Sequence, residues 1–538
     1  MSTPTRSGRA AFTSLALLVA AVVTPACGTF GTDPAGEASA DPAAPGGDTP
    51  KAKEVDGTPD ASEITEELGV FVAARGRDGN PGDRQNPLLT IQAGIERGKK
   101  LGKRVYVCSG TYREALTLSD SIAIIGGLSC DLPTWKAGGA PSRIESPTSP
   151  ALSAKDITTT TRLEGLDVVA PNASEPSASS IGLLADRAPG LVIVSSKITA
   201  GNGARGIDGA SGIQLAPAAS VAGLPSVVPF KCVAGGGGGG GVMLGTCTLG
   251  IGGWVKPPKG AGSVLGTCVG APGHDGGAGG AGGAGGLWEP YFDSVGLRYA
   301  WRYYQNSSAY ANGYGTNQDG AAGGSGQDGS VAAPVGTLSV EGYAPEHGVA
   351  GTDGAPGHGG YGGRGSNDGL PSADSAAVKI GDTYVGMGGP SGGAGGCPGL
   401  AGAGGTGGGA SIAVALVASP IVLDGVTLVA GTGGAGGLGS FGSDPTPGGA
   451  AGANASPYAV NAAGPGGRGG LAGVSTNGSN GPSVGVFHSG GAPTVKGAST
   501  IKPGSGAPTI DAQSRTDAGI TRTIPATPAG ITKDILTQ

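Results

Sequence analysis

The sequence predicts an all-β solenoid with one helix near its start and long glycine-rich insertions. Three observations predict it. Short strand-like apolar runs recur in frames of about 20 residues, each too small to bury its own inner face. One amphipathic helical pattern precedes them. Glycine supplies 114 of the 538 residues and is concentrated between the frames.

The opening elements lie in residues 69–130. Gly69-Val-Phe-Val-Ala73 reads as a short strand, followed by a polar loop from Arg75 to Gln85. Asn86-Pro-Leu-Leu-Thr-Ile91 leads into a helix with Thr90 as N-cap, Ile91, Ile95 and Leu101 as its apolar face, and Gly102 as its stop. The runs 104–107, 115–118 and 121–125 alternate as short strands separated by tight turns.

The segments Asn86-Pro-x-x-Thr-Ile91, Val105-Tyr-Val-Cys-x-Gly-Thr-Tyr-x-Glu114 and Ile124-Ile-Gly-Gly127 resemble the opening of right-handed parallel β-helix proteins of the pectate-lyase-like class. The resemblance implies that the helix caps the first coil and hides an open sheet end that would otherwise invite pairing. It implies a fold and no particular chemistry. The expected fold class is therefore all-β, a right-handed parallel β-helix with an N-terminal capping helix and long glycine-rich insertions.

Internal repeats support the frame. Residues 182–201, 411–431 and 483–501 each read as strand, turn, strand, turn, strand, and 151–170 fits the same pattern. The expected organisation is 1–27 signal peptide and lipobox, 28–62 tether, and 63–201 cap and first coils. Then follow 202–409 as a glycine-rich insertion with an aromatic island at 287–315, and 410–430 as a coil. The rest is 431–482 as a second insertion, 483–515 as the last coil, and 516–538 as a tail.

The insertions contain Gly235 to Gly241 without interruption and a Gly-Gly-Ala repeat from Gly276 to Gly286. A sustained Gly-X-Y pattern with abundant proline is missing, which excludes collagen. Two readings remain: flexible linker, or close-packed extended glycine helices. Partial disorder is the favoured expectation. The composition resembles glycine-alanine-rich PGRS-type surface proteins. In the island, Trp288, Tyr291, Tyr299, Trp301, Tyr303 and Tyr304 cluster in a chain that is only 4% aromatic. They suit either a mini-core or a platform for stacking sugar rings.

The first residues read as an export signal: Arg6 and Arg9, an apolar run from Ala10 to Val23, then Thr24-Pro-Ala-Cys27. The run is shorter than the ~20 residues that span a bilayer. Cys27 after a small residue resembles a lipobox, although Thr24 and Pro25 depart from its usual residues. The resemblance implies a membrane partner held through lipid on Cys27, and Gly28 after it points to the outer membrane or cell surface. The alternative is cleavage near Ala26 and secretion. Residues 28–62 carry too little apolar surface to fold and would act as a flexible tether spanning about 30 Å.

Setting Cys27 aside leaves Cys108, Cys130, Cys232, Cys247, Cys268 and Cys397. An even count in an exported chain favours disulfides. Cys108 and Cys130 end strand-like runs about one repeat apart and are expected to pair; the other four pairings stay open.

No catalytic set stands out. A net charge of −6 without basic clusters excludes nucleic acid. Gly357-His-Gly359 and Thr500-Ile-Lys502 lack the paired carboxylates of a glycosidase, and no acids cluster on neighbouring coils. His274, His347, His358 and His488 read as loop residues beside glycine. The Asp-Gly pairs at 78, 208, 275, 319, 328 and 353 read as turns. No metal and no cofactor is expected. The expected function is a non-catalytic envelope lipoprotein displaying glycine-rich loops, with polysaccharide or envelope components as partners. The alternative is a carbohydrate-active enzyme on a β-helix.

Overall fold

The computed structural model describes residues 63–130, 134–213, 215, 268, 287–293, 298–304, 319–362, 384–385, 392–452, 463–517 and 519–538. Most of its strands are parallel and lie in three stacked sheets that the chain visits in rotation. The first sheet contains, among others, Arg104–Cys108, Ala123–Leu128, Thr161–Glu164, Leu191–Val194, Val422–Asp424 and Thr494–Lys496. The second contains Thr111–Tyr112, Ser142–Glu145, Leu166–Val169, Lys197–Thr199, Thr427–Val429 and Thr500–Lys502. The third contains Leu116–Leu118, Leu152–Lys155, Ser180–Asp186, Ser411–Val417, Ser483–Ser489 and Thr532–Thr537. This rotation, first to second to third and back, is consistent with a β-helix-like solenoid.

Register explains why the coils stack. Leu116, Leu152, Leu183, Val414 and Val486 are successive partners in the third sheet. Ile124, Leu163, Ile193 and Leu423 follow one another in the first, and Ile144, Val168, Ile198 and Leu428 in the second. All of them are buried in one continuous core. Each such side chain contributes about 1.5–3 kcal/mol by leaving water, and alternation along each strand turns its neighbours outward.

The helix spans Ile91–Leu101 and closes the first end. Thr90 caps it by accepting from the Ala93 N–H, and Gly102 ends it with φ 65°, a left-handed turn that glycine adopts without strain. Ile91 and Ile95 are buried as expected, whereas Leu101 is half exposed beyond the packed face. Glu114 reaches over from the first coil and accepts from the Ile91 and Gln92 N–H groups at 2.8 and 2.9 Å.

Burial pushes the Glu114 carboxyl above its usual range, against the pull of those two donors. The native chain then holds this proton at pH values where the unfolded chain has lost it, so stability falls as pH rises through the window above the ordinary Glu range. Glu114→Gln, which keeps an acceptor and removes the charge, is expected to flatten that fall. Urea midpoints measured across the acidic range check it.

Cys108 and Cys130 form the expected disulfide, with Cα atoms 5.8 Å apart. A second bond joins Cys268 to Cys397, 129 residues away, with Cα atoms 5.7 Å apart. Cys232 and Cys247 lie outside the described residues.

Residues 235–241 and 276–286 lie outside the described residues; the described glycine-rich segments are ordered, which replaces the flexible-linker expectation for them. They are extended, packed side by side, and hydrogen-bonded at every third residue. Gly203, Gly206 and Gly209 donate to Thr432, Ala435 and Leu438 at 2.7–2.9 Å; Gly396, Gly399, Gly405 and Gly408 donate to Gly467, Gly470, Thr476 and Ser479 at 2.8–3.0 Å. A three-residue period is that of a polyproline-II-like helix, whose backbone makes no internal hydrogen bonds. Here neighbouring helices supply the partners. A Cβ on Gly405 would come well inside 3.0 Å of Gly437 backbone, and one on Gly404 would do the same to Gly348. The disorder argument counted apolar burial and omitted this backbone–backbone contact, which only glycine permits.

Polar side chains satisfy further donors in the bundle. Thr446 donates its N–H to the Cys397 carbonyl, and its Oγ1 accepts the Cys397 N–H at 2.7 Å. Thr406 makes the same reciprocal pair with Ile207, as does Thr476 with Val349. Because Thr446 is buried, Thr446→Val is expected to cost about 1–3 kcal/mol by leaving the Cys397 N–H unpaired. Thr446→Ser should recover most of it in the same denaturant titration.

The bundle is joined to the solenoid by a ladder of buried serines. Ser180, Ser411 and Ser483 occupy one register position on adjacent strands. Their Oγ atoms accept from the N–H groups of Gly201, Gly431 and Gly504 at 2.7–2.8 Å. Two of them also donate to the carbonyls of Gly201 and Gly431. Each bond sits where the chain leaves the second sheet, so the exits of the glycine segments are held at fixed points.

Candidate functional surface

Cys27 and the tether lie outside the described residues. Trp288 and Tyr291 fall on the strand Leu287–Asp293, and Tyr299, Trp301, Tyr303 and Tyr304 on Arg298–Tyr304. The two strands pair antiparallel with Trp288 opposite Tyr303 and Phe292 opposite Tyr299, and Tyr384–Val385 pairs with the first. The backbone thus places the six predicted residues on one hairpin; their side chains lie outside the described set.

The outer face of the second sheet carries a charged group that sequence reasoning missed. Arg143 donates to Glu145 at 2.9 Å and to Asp167, its neighbour on the next coil, at 2.7 Å. Arg113 stands 3.7 Å from the other Glu145 oxygen. Lys197 continues the row beyond Asp167. The hydrogen bonds to Glu145 and then to Asp167 hold the Arg143 guanidinium above its usual range. Arg143 thus bridges an acid on its own strand and one on the next coil, an arrangement the sequence did not show. Arg143 and Asp167 are 24 residues apart, and only the strand register brings them side by side. The face is an open sheet, and the guanidinium already engages both carboxylates.

His274 and Asp275 lie outside the described residues; the other histidines hold structural bonds. His358 sits within a glycine helix, where its N–H bonds the Ala321 carbonyl. His347 Nδ1 accepts the Gly407 N–H at 3.0 Å. His488 is not a loop residue: it lies within the strand Ser483–Ser489, buried, with Nε2 2.9 Å from Thr537 Oγ1. Nor are Asp208, Asp328 and Asp353 turn residues. Their carboxylates accept the N–H groups of Leu438, Val474 and Ala401 on neighbouring glycine helices. Among the described residues no three His, Cys, Asp or Glu side chains converge as a metal site.

Comparison with protein-family models, curated proteins and solved structures found no match to this chain.

Proposed function

We propose that the chain is a non-catalytic envelope protein, a right-handed β-helix that holds glycine helices and an aromatic hairpin out as a rigid contact surface. The serine ladder carries this reading. A flexible display would need no fixed exits, whereas Ser180, Ser411 and Ser483 hold Gly201, Gly431 and Gly504 at one register of three coils. The partners are glycans or other envelope components, met by stacking on Trp288, Trp301 and the tyrosines. The cap and coil motifs support a pectate-lyase-like ancestry, and the glycine-alanine composition supports kinship with PGRS-type surface proteins. Lipid on Cys27 would fix the protein to a membrane, the outer one given Gly28. Binding of full-length protein to a broad glycan array, lost on Trp288→Ala with Trp301→Ala, tests the surface. An array without hits rejects it. Failure to incorporate labelled palmitate at Cys27 rejects the anchor.

A second reading, a carbohydrate-active enzyme, rests on Glu145 and Asp167, since glycoside cleavage uses two carboxylates. Reducing-sugar and unsaturated-product assays over a polysaccharide panel decide it: turnover abolished by Asp167→Asn would establish the enzyme.

A further inference from the structure

Residues 503–531 leave the solenoid after the strand Thr500–Lys502 and return to it at Thr532–Thr537. Between those points they lie along the glycine segment 463–482 and against the chain around Phe441. Their strands Gln513–Asp517 and Ile520–Ile524 pair only with each other among the described residues, and a two-stranded hairpin is marginally stable by itself. Ala507 and Ile524 are the buried apolar side chains of this stretch among the described residues. Neither belongs to a hydrophobic cluster of the solenoid or the bundle.

What holds the stretch down is polar. Asn477 Nδ2 donates to the Pro525 carbonyl at 3.1 Å, and Asn480 Nδ2 to those of Pro508 and Pro528 at 2.8 and 2.9 Å. The Ala507 N–H donates to the Gly481 carbonyl, and the Ser505 carbonyl accepts from the Gly433 N–H. At the hairpin, the buried Arg522 reaches into the bundle and donates from Nη1 to the Phe441 and Ala472 carbonyls at 2.6 and 2.8 Å. Its Nη2 donates to Asp517. Arg515 donates to Asp517 at 2.9 Å and also to Asp444 of the bundle. Two arginines and two aspartates therefore balance in charge where the hairpin meets the bundle.

We propose that residues 503–531 are a lid on the glycine bundle, opening as one unit while the solenoid and the bundle stay folded, with Arg515, Arg522, Asp444 and Asp517 as its latch. Each polar bond exchanges a water partner for a protein one, so it contributes only about 0.5–1.5 kcal/mol net, or about 1.5–3 kcal/mol where a charge takes part. The solenoid strands are held by one continuous apolar core. A stretch that shares none of that core opens before it does. The hinges are the points where the stretch leaves Lys502 and rejoins the sheet at Thr532. Opening frees the buried Asn477 and Asn480 donors, which the lid's own proline carbonyls occupy when it is closed. This device goes beyond the display function and depends on neither reading of it.

Amide exchange of the full-length chain tests the lid at Ala507 and Gly433, whose bonds cross between it and the bundle. Both are expected to exchange with one common opening constant, well before the strand Ser411–Val417. Asp517→Asn should raise that constant about tenfold by removing a charged partner of Arg522. Arg515→Gln changes a partly exposed side chain, leaves Arg522 in place, and should raise the constant about threefold. The strand should exchange in both variants as in the parent. Three results overturn the proposal: exchange of Ala507 and Gly433 only together with the strand, unrelated constants at the two amides, or constants unchanged in both variants. Faster exchange of the strand along with the lid in Arg515→Gln makes the cluster part of the global fold and overturns the latch as well.

Discussion

Replacing Cys268 and Cys397 together by serine is expected to cost about 5 kcal/mol, the largest single loss in the molecule. The bond closes a loop of 129 residues, and the chain entropy it removes from the unfolded state grows with the logarithm of loop length. Cys108 and Cys130 are 22 residues apart, and on the same reasoning their removal costs about 3 kcal/mol. The order of the two losses is the useful prediction. The native side contributes too, because Cys268 and Cys397 are buried against Leu215, with Leu400 packed beside them. Cys397 lies in the glycine segment 392–410, whose backbone donates to Gly467 from Gly396 and to Ala210 from Ala403, so this bond ties the long insertion into the bundle. Thermal unfolding of the two double variants checks the order. Equal losses would show that the long loop is already constrained when unfolded.

Gly405→Ala is expected to destabilise by about 3 kcal/mol, although it adds one methyl group. The methyl would meet the backbone of Gly437 and Leu438, which cannot rotate away as a side chain could. Gly405 also donates to Thr476 and accepts from Gly348, so a shift that relieved the clash would strain both bonds. Gly324 is the internal control. It lies on an outer helix with nothing within 4 Å of its Cβ position, and Gly324→Ala is expected to be neutral or to stabilise by about 0.5 kcal/mol through the unfolded chain. Parallel denaturant titrations separate packed glycine from glycine that is merely abundant.

The solenoid was legible in the sequence where its period is carried by side chains. Leu183, Ile193 and Ile198, and their counterparts Val414, Leu423 and Leu428, mark the same three inward positions one coil apart. Thr90 and Gly102 marked the helix ends because caps are local chemistry. The bundle was harder to see, since glycine is the residue of both loose linkers and tight backbone contact.

Its order was nonetheless written as a count. The outer segment 201–213 has one glycine per three residues, at 203, 206, 209 and 212, facing inward. The central segment 392–410 has two, such as Gly404 and Gly405, because it has neighbours on more sides. Thr and Asp interruptions such as Thr406 and Asp208 mark places where a side chain takes over a backbone partner. The Arg143, Glu145 and Asp167 group was not legible. Arg143 and Glu145 share one strand, but Asp167 belongs to the next coil, and its meeting with Arg143 depends on a register between coils that no local pattern encodes.

The claim on which the account turns is that the glycine segments are ordered helices docked on the solenoid. Amide hydrogen exchange of the full chain, read residue by residue, tests it most directly. The account predicts slow exchange in the central segment, comparable to the solenoid strands, at Gly396, Gly399, Gly405 and Gly408 and also at Ala403, Thr406 and Gly409, which donate to Ala210, Ile207 and Ala204. Complete exchange of all of them at the earliest time, with the strands still protected, would contradict it.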